Sequence, residues 1–581
     1  MKKLTLLASC LLLLSACSQD NDYDFGSIDT TIGVNMSDLN VPQSSTSRIK
    51  LSQLLELNNT DAIVFDSDSN YVFVQEGKEV NPEHPCVDIF TVKEKNSTGH
   101  DIELTFPTAA PSQKKNAPAM VQGGGEIRIY DYEGTKPKGV ESLDILKTSS
   151  DIELHLLFPK GLSKVVPEAD NITFYMPDFM TLSNVTSSTT TFTQNGGTLK
   201  FTNVPTDHDL VVKAKVTQLD LHKEANERGY LRETADKVQM EGIIVMEFSD
   251  ASPNLANLPQ LQSNVLKSEM SMSDFRITAA TGRFSPDINI SSIGKVEIND
   301  IPDFLSRDGV VLDLDNICLY VDIANDMEIG GFIGGSLVAS KGGKQTAKVE
   351  VPEFKVNASG DTHICICRKA TDALRAKYVC VEVPTLSTII ETVPDIIDFE
   401  VKARADKNVT ATIDLGKKYT IAPSYRVDAP IAFGEKASIV YEKDYDDWSE
   451  DLEDVELAKD TKVTIQAKAL STIPLNLKVK AVPIDRNGNP LTDINVDSQD
   501  VLVPASADGK TPSSADIKIT ILDAADNALH RLDGLRLIIT GTAKAEGGQT
   551  VTGVKLNGKT QYLEFKDINI NIDGKVIYDA N

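Results

Sequence analysis

One short segment of the chain concentrates side chains that can bind metals or form disulfides. It reads His363-Ile364-Cys365-Ile366-Cys367, and a further cysteine, Cys380, follows in a second apolar run. Residues two apart on a β-strand point to the same face, so His363, Cys365 and Cys367 would share one face. If the strand that carries Cys380 pairs with this one, three thiols and an imidazole lie together. Such a set of ligands would suit zinc.

The same cysteines have two plainer interpretations. Free cysteine is among the most buried residue types, so packing in a core explains them without any ligand. A disulfide from Cys380 to Cys365 or Cys367 is the second. Cys365 and Cys367 are poorly placed to bond to each other, because same-face neighbours on a strand stand about 6.6 Å apart. The sequence favours core packing over a disulfide and a disulfide over a metal site, and it predicts no cofactor.

A second candidate group contains Trp448, the only tryptophan, which follows Tyr445 in an acidic stretch. If this stretch is helical, Tyr445, Trp448 and Leu452 share a face, since they are three and four residues apart. A short helix held against a sheet by its aromatic side chains is the simpler interpretation. The alternative is a sugar-stacking platform with a rim of carboxylates, although dedicated glycan binders usually display several aromatic side chains.

No catalytic set can be assigned from the sequence. Asp207-His208-Asp209 resembles a base with an orienting carboxylate, but adjacent residues on a strand face opposite ways and no serine or cysteine partner is identifiable. A glycosidase needs two carboxylates at a fixed separation, which 85 acidic residues neither support nor exclude. We therefore expect no enzyme, and a glycan-active enzyme ranks third among the hypotheses.

Period-two alternation of apolar and polar residues recurs along the body of the chain. It predicts strands with one buried and one wet face, as in Ile152, Leu154 and Leu156. Three Asn-Gly pairs predict tight hairpins between antiparallel strands: Asn195-Gly196, Asn487-Gly488 and Asn557-Gly558. Helical patterning is confined to short pieces near Leu51 to Leu57, His222 to Asp236 and Asp446 to Leu457.

The predicted fold class is all-β: tandem antiparallel β-sandwich domains with a few short helices. The pattern is similar to immunoglobulin-like and late-embryogenesis-abundant-type sandwiches. Since single cores stop growing near about 250–300 residues, a chain of 581 residues should contain several domains. We predict β domains over 28–217, 218–395 and 396–581. A weak repeat of strand, break, strand and turn begins at Val321 and again at Val463.

The N-terminal residues have the pattern of an export signal. Lys2-Lys3 precedes an apolar run that is too short to cross a bilayer, and the run ends in Leu14-Ser15-Ala16-Cys17. This ending resembles the lipobox of bacterial lipoproteins. The resemblance implies removal of residues 1–16, acylation of Cys17 and an acidic tether over 17–27. Two or more acyl chains hold a protein stably on a membrane, so the membrane is the first expected partner.

Further stretches resemble large uncharacterised surface lipoproteins of Bacteroidota. They are Asp29-Thr30-Thr31-Ile32-Gly33, Arg283 to Ile288 leading to Ile301-Pro302-Asp303-Phe304-Leu305, and Leu312 to Asn316. The acidic residues after Cys17 also look like the surface-export signal of that phylum. The resemblance implies the outer membrane, with the body facing the cell exterior. It supplies no catalytic residues.

Charge and location together suggest a function class. The net charge of −27 disfavours nucleic acid as a partner. The leading expectation is a non-catalytic binding or adhesion role toward an extracellular protein or glycan. The alternative is a carrier or structural lipoprotein with a groove for an apolar ligand.

Overall fold

A computed structural model describes residues 31–54, 63–77, 80–107, 120–188, 191–290, 292–298, 309–315, 317–446, 456–457, 461–498, 501–523, 528–545 and 549–579. Within these ranges the helices are four residues long: α1 (Leu51–Leu54), α2 (Leu162–Val165), α3 (Asp372–Arg375) and α4 (Thr388–Glu391). The same ranges contain 3-10 turns over Leu255–Gln260 and Ala528–Arg531. No helix among these residues is long and apolar enough to span a bilayer.

Strands make up most of the described chain. In order they are β1 (Thr31–Ser44), β2 (Ile49–Lys50), β3 (Ile63–Phe65), β4 (Tyr71–Glu76), β5 (Phe90–Gly99), β6 (Ile102–Thr105), β7 (Val121–Thr135), β8 (Val140–Leu157), β9 (Glu168–Tyr175), β10 (Met180–Ser187), β11 (Phe192–Asn195), β12 (Thr198–Pro205), β13 (Leu210–Asp220), β14 (Gly229–Glu233), β15 (Lys237–Asp250), β16 (Val265–Met272), β17 (Phe275–Ile277), β18 (Ala279–Phe284), β19 (Ser292–Glu297), β20 (Cys318–Asn325), β21 (Gly331–Lys341), β22 (Lys344–Val356), β23 (Gly360–Cys367), β24 (Val379–Glu382), β25 (Ile396–Ala405), β26 (Thr410–Asp414), β27 (Ile421–Pro430), β28 (Ser438–Tyr445), β29 (Glu456–Leu457), β30 (Lys462–Ser471), β31 (Asn476–Ile484), β32 (Ile494–Asp497), β33 (Leu502–Val503), β34 (Ser513–Asp523), β35 (Gly534–Thr542) and β36 (Tyr562–Asp579).

These strands form five sheets. Sheet A runs β1-β36-β30-β34-β32, sheet C runs β19-β25-β21-β22, sheet D runs β24-β23-β20-β27-β4-β3 and sheet E runs β28-β35-β31-β33. Sheet B is larger, and its main path runs β10-β13-β8-β16-β6-β7-β15-β9-β12-β11. Among the described strands, β23 and β24 pair in parallel, whereas the other ladders are antiparallel. The predicted all-β class of tandem sandwich-like units with few short helices is confirmed.

Two sandwiches follow the same plan. In each, apolar side chains fill the space between two sheets: Leu319 and Val427 of sheet D face Leu337 and Phe399 of sheet C across a small cavity. Sheets A and E pack likewise, with Ile494 and Ile521 of sheet A and Ala481 and Leu535 of sheet E in one buried cluster. Alternating side chains of each strand supply these inner faces, because successive residues point to opposite sides.

The weak repeat corresponds to a change of sheet. The chain leaves β20 in sheet D and enters β21 in sheet C, and it later leaves β30 in sheet A and enters β31 in sheet E. A buried asparagine lies at each corner. Asn325 donates to the carbonyls of Ile329 and Asn357, and Asn476 donates to the carbonyls of Thr542 and Ala543.

Strand pairing joins distant parts of the chain. β1 pairs with β36, so the beginning and the end of the described chain share sheet A. β4 pairs with β27, and β26 joins sheet B through β18. Sheets B and D therefore each combine strands from all three of the predicted segments 28–217, 218–395 and 396–581.

The predicted helix near His222 to Asp236 is wrong. Residues 229–233 form β14, which pairs with β15 from Gly229↔Gly242 to Glu233↔Val238. The backbone hydrogen bonds of this segment are satisfied by the neighbouring strand, and this tertiary pairing overrides a short helical pattern. The pattern near Leu51 gives the short helix α1.

Candidate functional site

The four cysteines of the middle of the chain meet on the outer face of sheet D. Cys318 on β20 lies directly opposite Cys367 on β23, and Cys365 lies directly opposite Cys380 on β24. We call Cys318, Cys365, Cys367 and Cys380 the thiol cluster. The strand pairing on which the meeting of Cys365 and Cys380 was conditional is present, and Cys318 is an addition that the sequence did not reveal.

The thiol cluster is a small core of its own. Cys365 and Cys367 are almost completely buried, Cys318 is buried and Cys380 is half-buried. Ile364 and Ile366, on the other face of β23, belong to the main core between the sheets. Both faces of this strand are therefore covered, which is unusual for a sheet whose outer face usually meets water.

A short cover segment, residues 368–378, produces this burial. Ala370, Leu374 and Tyr378 pack against the cysteines, and the ring of Tyr378 lies 4.9 Å from that of Tyr320 on β20. The cover segment contains α3, whose N-terminus is capped by Thr371.

Polar contacts hold the cover segment in two places. At its start, Arg368 Nη1 donates to Oδ1 of the buried Asp313, which precedes β20, at 3.2 Å. Farther along, Glu382 Oε1 on β24 accepts from the Ala370 backbone N–H and from Arg375 Nη2, at 3.0 and 2.6 Å. The cover is therefore a positioned part of the fold rather than a loose loop.

Burial sets the protonation of the thiols. It raises the pKa of Cys367 to about 11 and also raises the pKa of Cys380. A hydrogen bond between the Cys318 and Cys365 thiols lowers the pKa of Cys318, and this bond together with burial raises that of Cys365. The thiolate is the form that acts as nucleophile and metal ligand, so the raised pKa values of Cys365, Cys367 and Cys380 disfavour both roles for these three cysteines.

His363 shares the face of the cysteines, as the sequence predicts, but it has a different partner. It lies opposite Asp322 in the register, and its Nδ1 is 2.5 Å from Asp322 Oδ1. This hydrogen bond raises the pKa of His363, and both side chains are about half exposed. Over the described residues, no group of three or more His, Cys, Asp or Glu side chains has an arrangement that could hold a metal ion. The cysteines of the thiol cluster and Cys86 are free thiols in the structure.

The sequence alone did not indicate that Cys318 joins the thiol cluster, because Cys318 is far from Cys365 along the chain. Its own strand carries the signal: Cys318, Tyr320 and Asp322 alternate with the apolar Leu319 and Val321. This alternation puts Cys318 on a face that is not the main core. The register with β23 is what places it in the cluster, and register depends on pairing partners that one sequence does not specify.

The structure describes little of the aromatic and lipidation candidates, which are Tyr445, Trp448 and Cys17. Tyr445 ends the strand β28 opposite Leu535, so it does not begin a helix, and its side chain is not among the described ones. Trp448 and the predicted helix near it lie outside the described residues except for β29, which is a strand. Cys17 and the tether also lie outside the described residues.

The space between sheets C and D is largely filled. The cavity there has a volume of about 40 Å³ and an apolar lining that includes Val296, Leu319, Leu337, Phe399, Tyr425 and Val427. Pockets that enclose a small molecule usually measure about 300–1,000 Å³. A second cavity, beside Asn325, measures about 20 Å³.

Comparison with known proteins identifies no family for this chain. No family model matches the sequence, and no curated protein matches it. Among solved structures, the chain is similar to a protein of Parabacteroides distasonis whose secretion is inferred, with 12% identity, coverage of 74% of this chain and 99% of that one, and a TM-score of 0.34. Tripeptidyl peptidase 2 follows with 8% identity, coverage of 76% and 34%, and a TM-score of 0.13. Similarities this low carry no argument about function.

Proposed function

We propose that the protein is a lipid-anchored outer-membrane protein that faces the cell exterior and binds an extracellular protein or glycan without catalysis. The proposed location rests on the sequence alone: the apolar run that follows Lys2-Lys3 and the lipobox-like ending at Cys17. The acidic residues of the tether support export to the outer face. The binding role rests on the architecture of the body.

The observation that carries the binding role is how completely the space between sheets C and D is filled. Apolar side chains of both sheets line the cavity there, and its volume is only about 40 Å³. Such a body offers a partner its loops, sheet faces and edges. The carrier alternative needs an apolar space several times larger, so it ranks second.

An edge strand of sheet C carries charged side chains that oppose aggregation of an exposed protein. β22 is an edge strand of sheet C, and it carries Lys344, Lys348, Glu350, Glu353 and Lys355. Charged side chains on an edge discourage unspecific pairing with another strand. With a net charge of −27, the protein also repels other acidic surfaces and nucleic acid.

Exposure can be tested at the turn between β21 and β22. Gly342 and Gly343 form this turn, both are exposed, and apart from the adjoining residues no described atom lies within 4 Å of a Cβ built on either. A recognition site for a specific protease inserted between them should be cut when the protease is added to intact cells. The same insertion cut only after the cells are permeabilised would place the body in the periplasm and remove surface binding from first place.

The partner class can be tested in the same strain. Protein cross-linked on intact cells and recovered through a C-terminal tag should carry an extracellular protein or glycan. Recovery of a stoichiometric lipid other than the anchor would favour the carrier alternative instead. Turnover of a glycan by the purified protein would favour the enzyme.

A further inference from the structure

The thiol cluster has a geometry that the burial of cysteines alone does not require. Its four members form two directly opposed pairs: Cys318 with Cys367 across an antiparallel ladder, and Cys365 with Cys380 across a parallel one. Neighbouring strands lie about 4.8 Å apart, and opposed Cα atoms in antiparallel ladders lie about 4.5–5.5 Å apart. Disulfides join Cα atoms that are about 4.4–6.8 Å apart.

We propose that the thiol cluster is a disulfide-forming site in which oxidation joins Cys318 to Cys367 and Cys365 to Cys380. The two bonds would link three adjacent strands of sheet D, β20, β23 and β24. They would also fix β24, which is an edge strand of four residues held by the parallel ladder to β23.

The four thiols lie close together, but their hydrogen bonds do not follow the register. Cys318 is hydrogen-bonded to Cys365, and Cys367 is hydrogen-bonded to Cys365 and to Cys380. The proposed bonds follow the opposed Cα positions instead, so the side chains must rotate out of these contacts before the sulfurs can pair. Cys86 belongs to another part of the chain, and it serves as an internal reference because it is not in the cluster.

The reaction needs an oxidant, for which the chemical class is a small-molecule disulfide such as oxidised glutathione. A protein thiolate attacks one glutathione sulfur, forms a mixed disulfide and releases one glutathione thiolate. The opposed cysteine thiolate attacks the protein sulfur of that mixed disulfide and releases the second glutathione. Each bond thus oxidises two protein thiols and reduces one glutathione disulfide to two glutathione thiols, which take up the two protons.

Access and rate follow from burial. Cys380 is half-buried and the other three thiols are buried under the cover segment, so reaction at Cys380 should come first. The raised pKa of Cys380 makes this step slow near neutral pH and faster in mildly alkaline solution. In the cell the bonds would persist in an oxidising compartment outside the cytoplasm. The chemistry itself does not depend on what the protein binds.

The test uses the full-length chain with Cys10→Ser and Cys17→Ser, which leaves Cys86 and the thiol cluster. After treatment with oxidised glutathione in mildly alkaline buffer, the protein is unfolded and its free thiols are alkylated. In the oxidised sample we expect mass spectrometry to find one cysteine outside protein disulfides, Cys86, which is either alkylated or joined to one glutathione. We expect all five to be alkylated after reduction. Five alkylated cysteines in the oxidised sample would overturn the proposal.

Pair variants decide the connectivity. Cys318→Ser/Cys367→Ser should still close the bond between Cys365 and Cys380, and Cys365→Ser/Cys380→Ser should still close the bond between Cys318 and Cys367. Peptide mapping of the unreduced protein with intact cysteines checks the same assignment if a variant fails to fold. Bonds that join Cys318 to Cys365 or Cys367 to Cys380 would contradict the proposed pairing.

Discussion

The guanidinium of Arg368 donates to the buried carboxylate of Asp313 across 3.2 Å, and this contact anchors the start of the cover segment. Asp313 is almost completely buried, and its second oxygen accepts from the Lys436 backbone N–H at 3.1 Å. Breaking such a pair from one side leaves a buried charge without compensation.

Arg368→Ala should therefore lower the free energy of unfolding by about 3 kcal/mol. The matched control is Arg404→Ala, which removes a guanidinium from the exposed carboxylate of Glu353 and should cost much less, because exposed ion pairs contribute little to stability. Urea unfolding of both variants measures the difference. A double variant, Arg368→Ala/Asp313→Asn, should recover part of the loss, and equal effects at Arg368 and Arg404 would contradict this reading.

The corner asparagines should be as sensitive as a core residue. Replacing Asn325 or Asn476 by alanine leaves the backbone carbonyls that each amide satisfies without a hydrogen-bond partner. Each change should therefore lower the free energy of unfolding by about 2 kcal/mol. Asn257→Ala is the control, since it removes an exposed hydrogen bond to the Lys164 carbonyl and should cost about 0.5 kcal/mol or less. Thermal unfolding ranks the three variants. Corner variants as mild as Asn257→Ala would show that the amides do not fix the change of sheet.

Asp250 should make stability fall as pH rises. Burial and the nearby charge of Asp170 raise its pKa, and within the described part of the chain its Oδ2 has no hydrogen-bond partner. The folded protein therefore holds this proton more tightly than the unfolded chain. Stability from this group is present at acid pH and is lost as pH rises through the folded pKa. Asp250→Asn should stabilise the protein at pH 7 but not near pH 3.

Asp485 provides the control of opposite sign. Backbone N–H groups of Asn487 and Asn489 donate to its carboxylate, and these bonds lower its pKa. Its contribution is present above the unfolded pKa and is lost as pH falls through the folded one. Asp485→Asn should therefore destabilise at pH 7. Urea midpoints measured from pH 3 to pH 7 would contradict both assignments if the two variants shifted in the same direction.

His363 should titrate above a free histidine. Its hydrogen bond to Asp322 raises the pKa, so this pair contributes stability below the unfolded pKa of histidine and loses it as pH rises through the folded one. Asp322→Asn should bring the His363 titration down toward the ordinary value of about 6.5. NMR titration of labelled histidine, assigned with His363→Gln, measures the shift. An unchanged titration in Asp322→Asn would show that the pair is not formed in solution.

Strand content was predictable because alternation is a local property. Ile152, Leu154 and Leu156 are buried in β8, as their spacing predicts. The Asn-Gly pairs predicted turns less reliably than alternation predicted strands. Asn195-Gly196 makes the predicted hairpin between β11 and β12, whereas Asn557 pairs with Asn70 in a distant part of the chain.

The candidate site was half predictable. The sequence placed Cys365 and Cys367 on one face and made their meeting with Cys380 conditional on strand pairing, which the structure contains. Neither Cys318 nor the separate hydrogen bond of His363 to Asp322 could be derived. Both depend on the register between β20 and β23, a long-range relationship that alternation within each strand leaves open.

The proposed location at the outer membrane depends on the lipid anchor at Cys17. Mass spectrometry of the N-terminal peptide, taken from protein extracted from native membranes, tests it directly. We expect a peptide that begins at Cys17 and carries acyl chains, and we expect Cys17→Ala to release the protein from the membrane fraction. An unmodified Cys17, or a mature chain that begins at another residue, would contradict the proposal.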